Sequence, residues 1–174
     1  MAAPRPGQPF TGYKAFYRRF ADDPLPSRSP WGRFHDSVTG RSTTYLTARA
    51  ATAWREVAHR WRAEAAAYRI ATVRLRVRKI VDLTRRATQM RYGVDHRALV
   101  GEDYKLCQAL GQRLRANGVE AAWTYSRADQ PEGRVLVVFL DRLKPPSRIE
   151  RVEVRPITTD DVEGRDATPS ERRT

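Results

Sequence analysis

What the chain lacks bounds it first. A single cysteine, Cys107, excludes any intrachain disulfide, which fits a reducing compartment. No apolar run approaches the ~20 residues of a membrane helix, and the Pro- and Gly-rich start, Met1 to Pro9, has no apolar signal core. A soluble, cytoplasmic protein is expected. The three histidines, His35, His59 and His96, stand far apart, and no Cys or His pair has ligand spacing, so no metal is expected. Each histidine reads as a surface or loop residue, and Cys107 as a small buried helix residue. There is no P-loop, no Gly-x-Gly-x-x-Gly and no internal repeat. Phosphate, if bound, must be held by side chains.

Positive charge is abundant instead. Thirty-three Lys and Arg against twenty Asp and Glu leave a formal charge of +13. From Arg55 to Arg91 eleven basic residues meet only three acidic ones, Glu56, Glu64 and Asp82. From Arg142 onward the two signs nearly balance. Such a surface attracts polyanions: nucleic acid, an acidic partner protein, or a phosphorylated small molecule. Arginine-heavy usage also follows genomic base composition, so charge by itself does not choose among them.

The length, 174 residues, suits one domain with a full core. Residues 1–12 read as a flexible arm, 13–157 as the folded domain and 158–174 as a charged, disordered tail. Phe16–Phe20 alternates like a strand, and Pro24, Pro26 and Pro30 then impose a loop. A short strand fits Ser42–Leu46. Thr47 would cap a helix over Ala48–Ala67 whose buried stripe is Trp54, Val57, Trp61, Ala65 and Tyr68. Val73–Arg78 has period two, one apolar face and one arginine face. A second helix fits Asp103–Asn117, capped by Asp103, seamed by Leu106, Leu110 and Leu114, and ended by Gly118. Val119–Tyr125 and Val135–Leu140 read as strands, the latter central because it is apolar on both faces. Ile149–Ile157 reads as an edge strand, since Pro156 bars it from the interior. The pattern predicts a single α+β domain with mixed, mainly antiparallel sheet.

Five polar residues sit in short apolar-framed segments: Arg18, Arg33, Tyr45, Glu56 and Ser126. Arginines suit phosphates, an aromatic suits a flat ring, and a lone carboxylate suits developing positive charge. Each has a plainer reading. Glu56 fits a solvated carboxylate paired with Arg60 at i+4. Arg18 and Arg33 fit surface charges in an arginine-rich chain, although aromatic neighbours place both near the interior. Gly32 would let backbone approach a ligand while Arg33 reaches a phosphate. Tyr45 fits a core tyrosine, and Ser126 fits the start of a loop, since Ser126–Gly133 is full of turn formers.

The order of these segments resembles the RES-domain family, named for an Arg, a Glu and a Ser. The matching pieces are Phe16-Tyr17-Arg18, Gly32-Arg33-Phe34, Tyr45-Leu46, Thr52-Ala53-Trp54-Arg55-Glu56, Ser126 and Phe139-Leu140-Asp141. The resemblance implies an ADP-ribosyltransferase-like fold and a toxin of a toxin–antitoxin pair. It implies that NAD is the substrate, with no redox cofactor, and that the nicotinamide–ribose bond is cleaved by hydrolysis, phosphorolysis or transfer of ADP-ribose to a protein. Arg18 and Arg33 would bind the pyrophosphate or the adjoining ribose, and Tyr45 the nicotinamide end. Glu56 would stabilise the oxocarbenium-like transition state, and Ser126 would hold the ligand or position Glu56. An Xre-like antitoxin would plug the site, and a homodimer fits the family. Two departures stand out: Arg127 follows Ser126 where the family commonly has a small residue, and Arg19 adjoins Arg18. The rivals are a basic nucleic-acid-binding module using the arginine face of Val73–Lys79, which lacks interleaved aromatics for base stacking, and an inactive RES-like scaffold.

Overall fold

The run Val135–Phe139 is apolar at every position, so as a strand it needs cover on both faces. The computed structural model describes residues 1–27, 32–35, 42–61 and 64–164, with backbone alone at 60 and 61. Seven strands form one sheet: β1 (Pro9–Tyr17), β2 (Thr43–Thr47), β3 (Tyr68–Arg76), β4 (Ile80–Asp82), β5 (Ala121–Tyr125), β6 (Arg134–Phe139) and β7 (Arg148–Pro156). Their order is β4-β5-β6-β2-β1-β3-β7, and only β4 and β5 run parallel. The helices among the described residues are α1 (Ala50–Trp61), α2 (Arg86–Tyr92), α3 (His96–Val100), α4 (Lys105–Ala116) and α5 (Thr159–Glu163). The expected α+β class, with a mixed and mainly antiparallel sheet, is what the chain adopts. No helix among the described residues is long and apolar enough to cross a membrane.

Strand β6 divides the interior. Val135, Val137 and Phe139 join Phe34, Leu99, Leu110 and Leu114 on the side of α3 and α4. Leu136 and Val138 join Leu46, Val73, Leu75 and Trp123 on the other. β7 forms the sheet edge, as Pro156 requires. Arg74 and Arg76 are exposed on β3, but Arg74 stands opposite Glu150 of β7, so carboxylates interrupt the arginine face.

Several boundaries differ from those expected. β1 begins at Pro9, inside the stretch assigned to a flexible arm, because it pairs with β3 over its whole length, from Pro9↔Arg76 to Tyr17↔Tyr68. Gly7 N–H extends that pairing to Val77 O at 2.6 Å. The strand ends at Tyr17, and Arg18–Phe20 is a 3-10 turn rather than more strand. α1 stops at Trp61, and Ala65–Ala67 forms a separate turn. Pairing of Tyr68 with Tyr17 overrides the helix preference of the alanines. Thr47 is the last residue of β2, not a cap: its hydroxyl donates to Arg49 O at 2.7 Å. In α4 Leu106 is exposed, and the buried seam is Cys107, Leu110, Gly111, Leu114 and Arg115. A Cβ on Gly111 would lie 3.0 Å from Phe34 O, so glycine lets the segment before β2 pack onto the helix. The expected tail opens with order: Thr158 and Asp161 form a capping box for α5, and Arg155 holds Asp161 with two bonds of 2.6 and 2.8 Å. Trp31, Pro30, the side chains of Arg60 and Trp61, and residues 165–174 lie outside the described residues.

Cys107 is completely buried. Burial pushes its thiol up to about 11, with Arg33 lowering it and Asp103 raising it by smaller amounts. The thiolate is the reactive form. Native protein at pH 8 should therefore leave an aromatic disulfide reagent unreduced, and unfolding in denaturant should release one equivalent of thiol. Absorbance of the released thiolate checks both.

Candidate active site

β1, β2, β5, β6 and α1 enclose a cavity of about 700 Å³, within the ~300–1,000 Å³ of small-molecule sites. Its walls are aromatic, among them Tyr13, Tyr17, Phe20, Tyr45, Tyr68 and Tyr104. Lys14, Arg19, Arg33 and Arg127 supply positive charge, and Glu56 is the one carboxylate among the described residues that line it. Side chains therefore offer an anion several partners and a cation one.

Glu56 stands on α1 with its Oε1 accepting from Ser126 Oγ at 2.5 Å. Ser126 is completely buried, and its Oγ accepts from Asp129 N–H at 3.1 Å. A hydroxyl has a single hydrogen. With Asp129 occupying a lone pair, that hydrogen goes to Glu56. Ser126 does not line the cavity; it faces the carboxylate and not the space.

Sequence pattern does not single out Asp129, which lies in the turn-rich stretch Ser126–Gly133. Its carboxylate gathers three donors from the start of α1 and the residue before it: Arg49 Nη2 at 2.9 Å, Thr52 Oγ1 and Arg55 Nη1. Residues 49, 52 and 55 repeat every three, so they share a helix face, and that spacing was the available signal. Burial pushes the Asp129 carboxyl up, but hydrogen bonds from Thr52, Arg49 and Arg55, with the charge of Arg55, outweigh it and hold the group below its ordinary value. Gly133 is required where the loop closes, because a Cβ there would lie 2.4 Å from Asp129 O.

Tyr45 uses its hydroxyl to accept Phe34 N–H at 2.9 Å. Arg115, buried in α4, donates to Phe34 O at 3.1 Å. The two together fix the peptides on either side of Phe34, next to Arg33. Arg33 lies over the Tyr104 ring at 5.0 Å and donates to Leu99 O. Gly32 lines the cavity, and its Cβ side is filled by the His35 ring, 2.3 Å from where a Cβ would lie, whose Nδ1 accepts Gly32 N–H at 3.0 Å. His35 is thus a loop residue, as expected, but a completely buried one rather than a surface one. His59, exposed on α1, lines the cavity.

The turn after β1 separates the two neighbouring arginines. Arg18 is exposed and does not line the cavity, whereas Arg19 does, with its guanidinium 4.8 Å from the Phe20 ring. Arg127 lines the cavity and donates to Glu102 at 2.7 Å. Four of the five candidates, Arg33, Tyr45, Glu56 and Ser126, therefore converge on one place, and Arg18 stands outside it. Among the described residues no group of three or more His, Cys, Asp or Glu is placed to hold a metal ion.

An α+β domain with a deep aromatic cleft, a cationic lining and one tethered carboxylate describes a small-molecule site on a mainly antiparallel sheet. The RES domain model matches residues 8–160, and the chain belongs to the RES-domain family. Its fold is similar to that in the crystal structure of the M. tuberculosis MbcT–MbcA toxin–antitoxin complex. The TM-score is 0.74 at 19% identity, over 93% of this chain and 91% of that one. A search of curated proteins found no match.

Replacing Asp129 by Asn keeps the backbone N–H to Ser126 but removes the charge shared by Arg49 and Arg55. Both arginines are partly exposed, 24% and 39%, so the expected cost at pH 7 is only about 1–3 kcal/mol. The folded carboxyl is depressed below 3.8. Its stabilisation is therefore present above that value and lost as pH falls through the folded one. Urea unfolding should show wild type and Asp129→Asn converging below about pH 4.

Proposed function

We propose that this chain is an NAD-cleaving toxin of the RES type. The observation that carries the reading is Glu56: the sole described carboxylate in an aromatic, cation-lined cavity, tethered through the buried Ser126. NAD carries two phosphates, a flat cationic ring and a ribose between them. The cationic lining suits the pyrophosphate, with Arg19 taking the part expected of Arg18 and acting beside Arg33. The aromatic walls suit the rings, and Tyr45 sets the Arg33 segment as well as flanking the nicotinamide end. As the nicotinamide–ribose bond lengthens, positive charge grows on the sugar, and a fixed carboxylate stabilises it without having to reorganise. Ser126 is a positioning residue, supplying the hydrogen bond that fixes the Glu56 rotamer.

NAD is here substrate and not redox cofactor. Water, phosphate or a protein side chain accepts the ADP-ribose. The toxin works in the cytoplasm and is held in check by an Xre-like antitoxin, a pairing supported by the toxin–antitoxin complex whose fold this chain shares. A homodimer and an ADP-ribosyltransferase-like ancestry belong to the same reading.

Nicotinamide release from NAD by purified protein, with phosphate present and absent, tests it. Glu56→Gln should lower kcat about a hundredfold, roughly 2.7 kcal/mol in barrier. Equal release by Glu56→Gln would remove this carboxylate from the mechanism. Arginine replacements provide a second test. Arg19→Ala should raise KM for NAD about tenfold, corresponding to about 1.4 kcal/mol of binding, while Arg18→Ala should leave it unchanged; the reverse pattern would reassign the phosphate contact.

A further inference from the structure

Thr124 of β5, like its neighbour Trp123, buries a side-chain polar atom that finds no hydrogen-bond partner among the described residues, but of the two only Thr124 lines the cavity. It is only 2% exposed, and the unpaired atom is its Oγ1. Buried hydroxyls are nearly always hydrogen-bonded, and one left unpaired is destabilising. Its cross-strand partner is Val135, and Val137 lines the same floor. A valine would fill such a setting without leaving a polar atom unpaired, so the hydroxyl is not explained by packing.

Its position along the strand supplies the explanation. Ser126 continues the pairing of β5, its N–H donating to Gly133 O at 2.9 Å. Side chains two apart on a strand share a face and stand about 6.5–7 Å apart. Thr124 is therefore about one ring's breadth from the serine that tethers Glu56. A ligand whose sugar meets Glu56 would lay the attached ring over Val135, Val137 and Phe34, with its substituent toward Thr124. Lys14, Arg19 and Arg33 lie on other segments, and Arg127, three residues beyond Thr124, is paired to Glu102, so the group awaited here is neutral. A hydroxyl both donates and accepts, and a carboxamide offers both complements.

Resting on the NAD-cleaving reading, we infer that the Thr124 hydroxyl hydrogen-bonds the carboxamide of the departing ring, making Thr124 the residue that selects the leaving group. Thr124→Val and Thr124→Ser, with nicotinamide, pyridine and ADP-ribose as calorimetric probes, test this. Thr124→Val should melt no lower than wild type, because it removes an unpaired polar atom. It should bind nicotinamide about three- to tenfold more weakly, the worth of one neutral hydrogen bond, and ADP-ribose, which lacks the ring, equally well. Wild type should prefer nicotinamide to pyridine, and Thr124→Ser should keep that preference. Unchanged nicotinamide affinity in Thr124→Val, equal loss in Thr124→Ser, or no binding of nicotinamide by wild type would overturn the inference. The two readings fail separately. Nicotinamide bound through Thr124 by a protein that never cleaves NAD would leave this inference standing and remove the activity; cleavage with nicotinamide affinity indifferent to Thr124→Val would do the opposite.

Discussion

A buried serine can donate one hydrogen, and in this fold Ser126 donates it to Glu56. The direction is set by Asp129 N–H, which occupies the acceptor side of the same oxygen. Ser126 sits where β5 runs into its loop and Glu56 sits on α1, so this one contact joins a sheet end to a helix. The Asp129 carboxylate makes the second join, to Arg49, Thr52 and Arg55. Two attachments on one helix face resist both rotation and sliding of α1. The carboxylate in the cavity is thereby fixed by backbone-anchored groups rather than by its own rotamer preference.

The rest of the architecture serves the placement of that helix and loop. β6, buried on both faces, separates two clusters, and its Val135 and Val137 form part of the cavity floor. One strand thus supplies both core and site. The segment bearing Arg33 has no regular structure of its own, yet Phe34 is held by Tyr45 on its N–H and by Arg115 on its carbonyl. Arg115 itself is buried in α4, over the Phe139 ring at 4.3 Å. Side chains from helix and sheet replace the ladder bonds that a strand would have provided.

Legibility in the sequence followed the length of the signal. The central β6 and the α4 helix show in period and composition because burial dictates their residues over a full strand or several turns, whereas the edge β7, with no buried residue, shows through Pro156. α2, α3 and the three-residue β4 leave no such trace: α2 buries no residue and β4 only half-buries its own. The sequence overstates the length of α1 because alanine favours helix locally, whereas Tyr68 is claimed by its pairing with Tyr17 on a strand distant in sequence. Glu56, Tyr45, Arg33 and Ser126 stood out through family pattern rather than periodicity. Asp129 did not, since an aspartate in a turn-rich loop is what loop chemistry supplies anyway. Its role exists only once α1 packs beside it. The choice between Arg18 and Arg19 is likewise beyond sequence, because strand alternation stops at Tyr17 and a 3-10 turn decides which of the two exposed side chains lines the cavity.

Charge placement around α1 completes the physical picture. Arg55 adjoins Glu56, and Arg49 precedes it by two turns. On the proposed chemistry Glu56 must favour positive charge growing on a ribose, and free guanidiniums nearby would oppose that charge while competing for the carboxylate. Asp129 meets both arginines, at 7% side-chain exposure where screening by water is weak. Arg127, the arginine that follows Ser126, is paired outward to Glu102. Arg19 and Arg33 instead lie against aromatic rings, Arg19 over Phe20 and Arg33 over Tyr104, where the charge is held near the cavity and no acid among the described residues cancels it. The cations beside the carboxylate are neutralised by Asp129, while Arg19 and Arg33 keep their charge at the cavity. On the proposed reading, the arrangement lets one strongly basic chain present a negative point to a sugar and a positive surface to the phosphates of the same ligand.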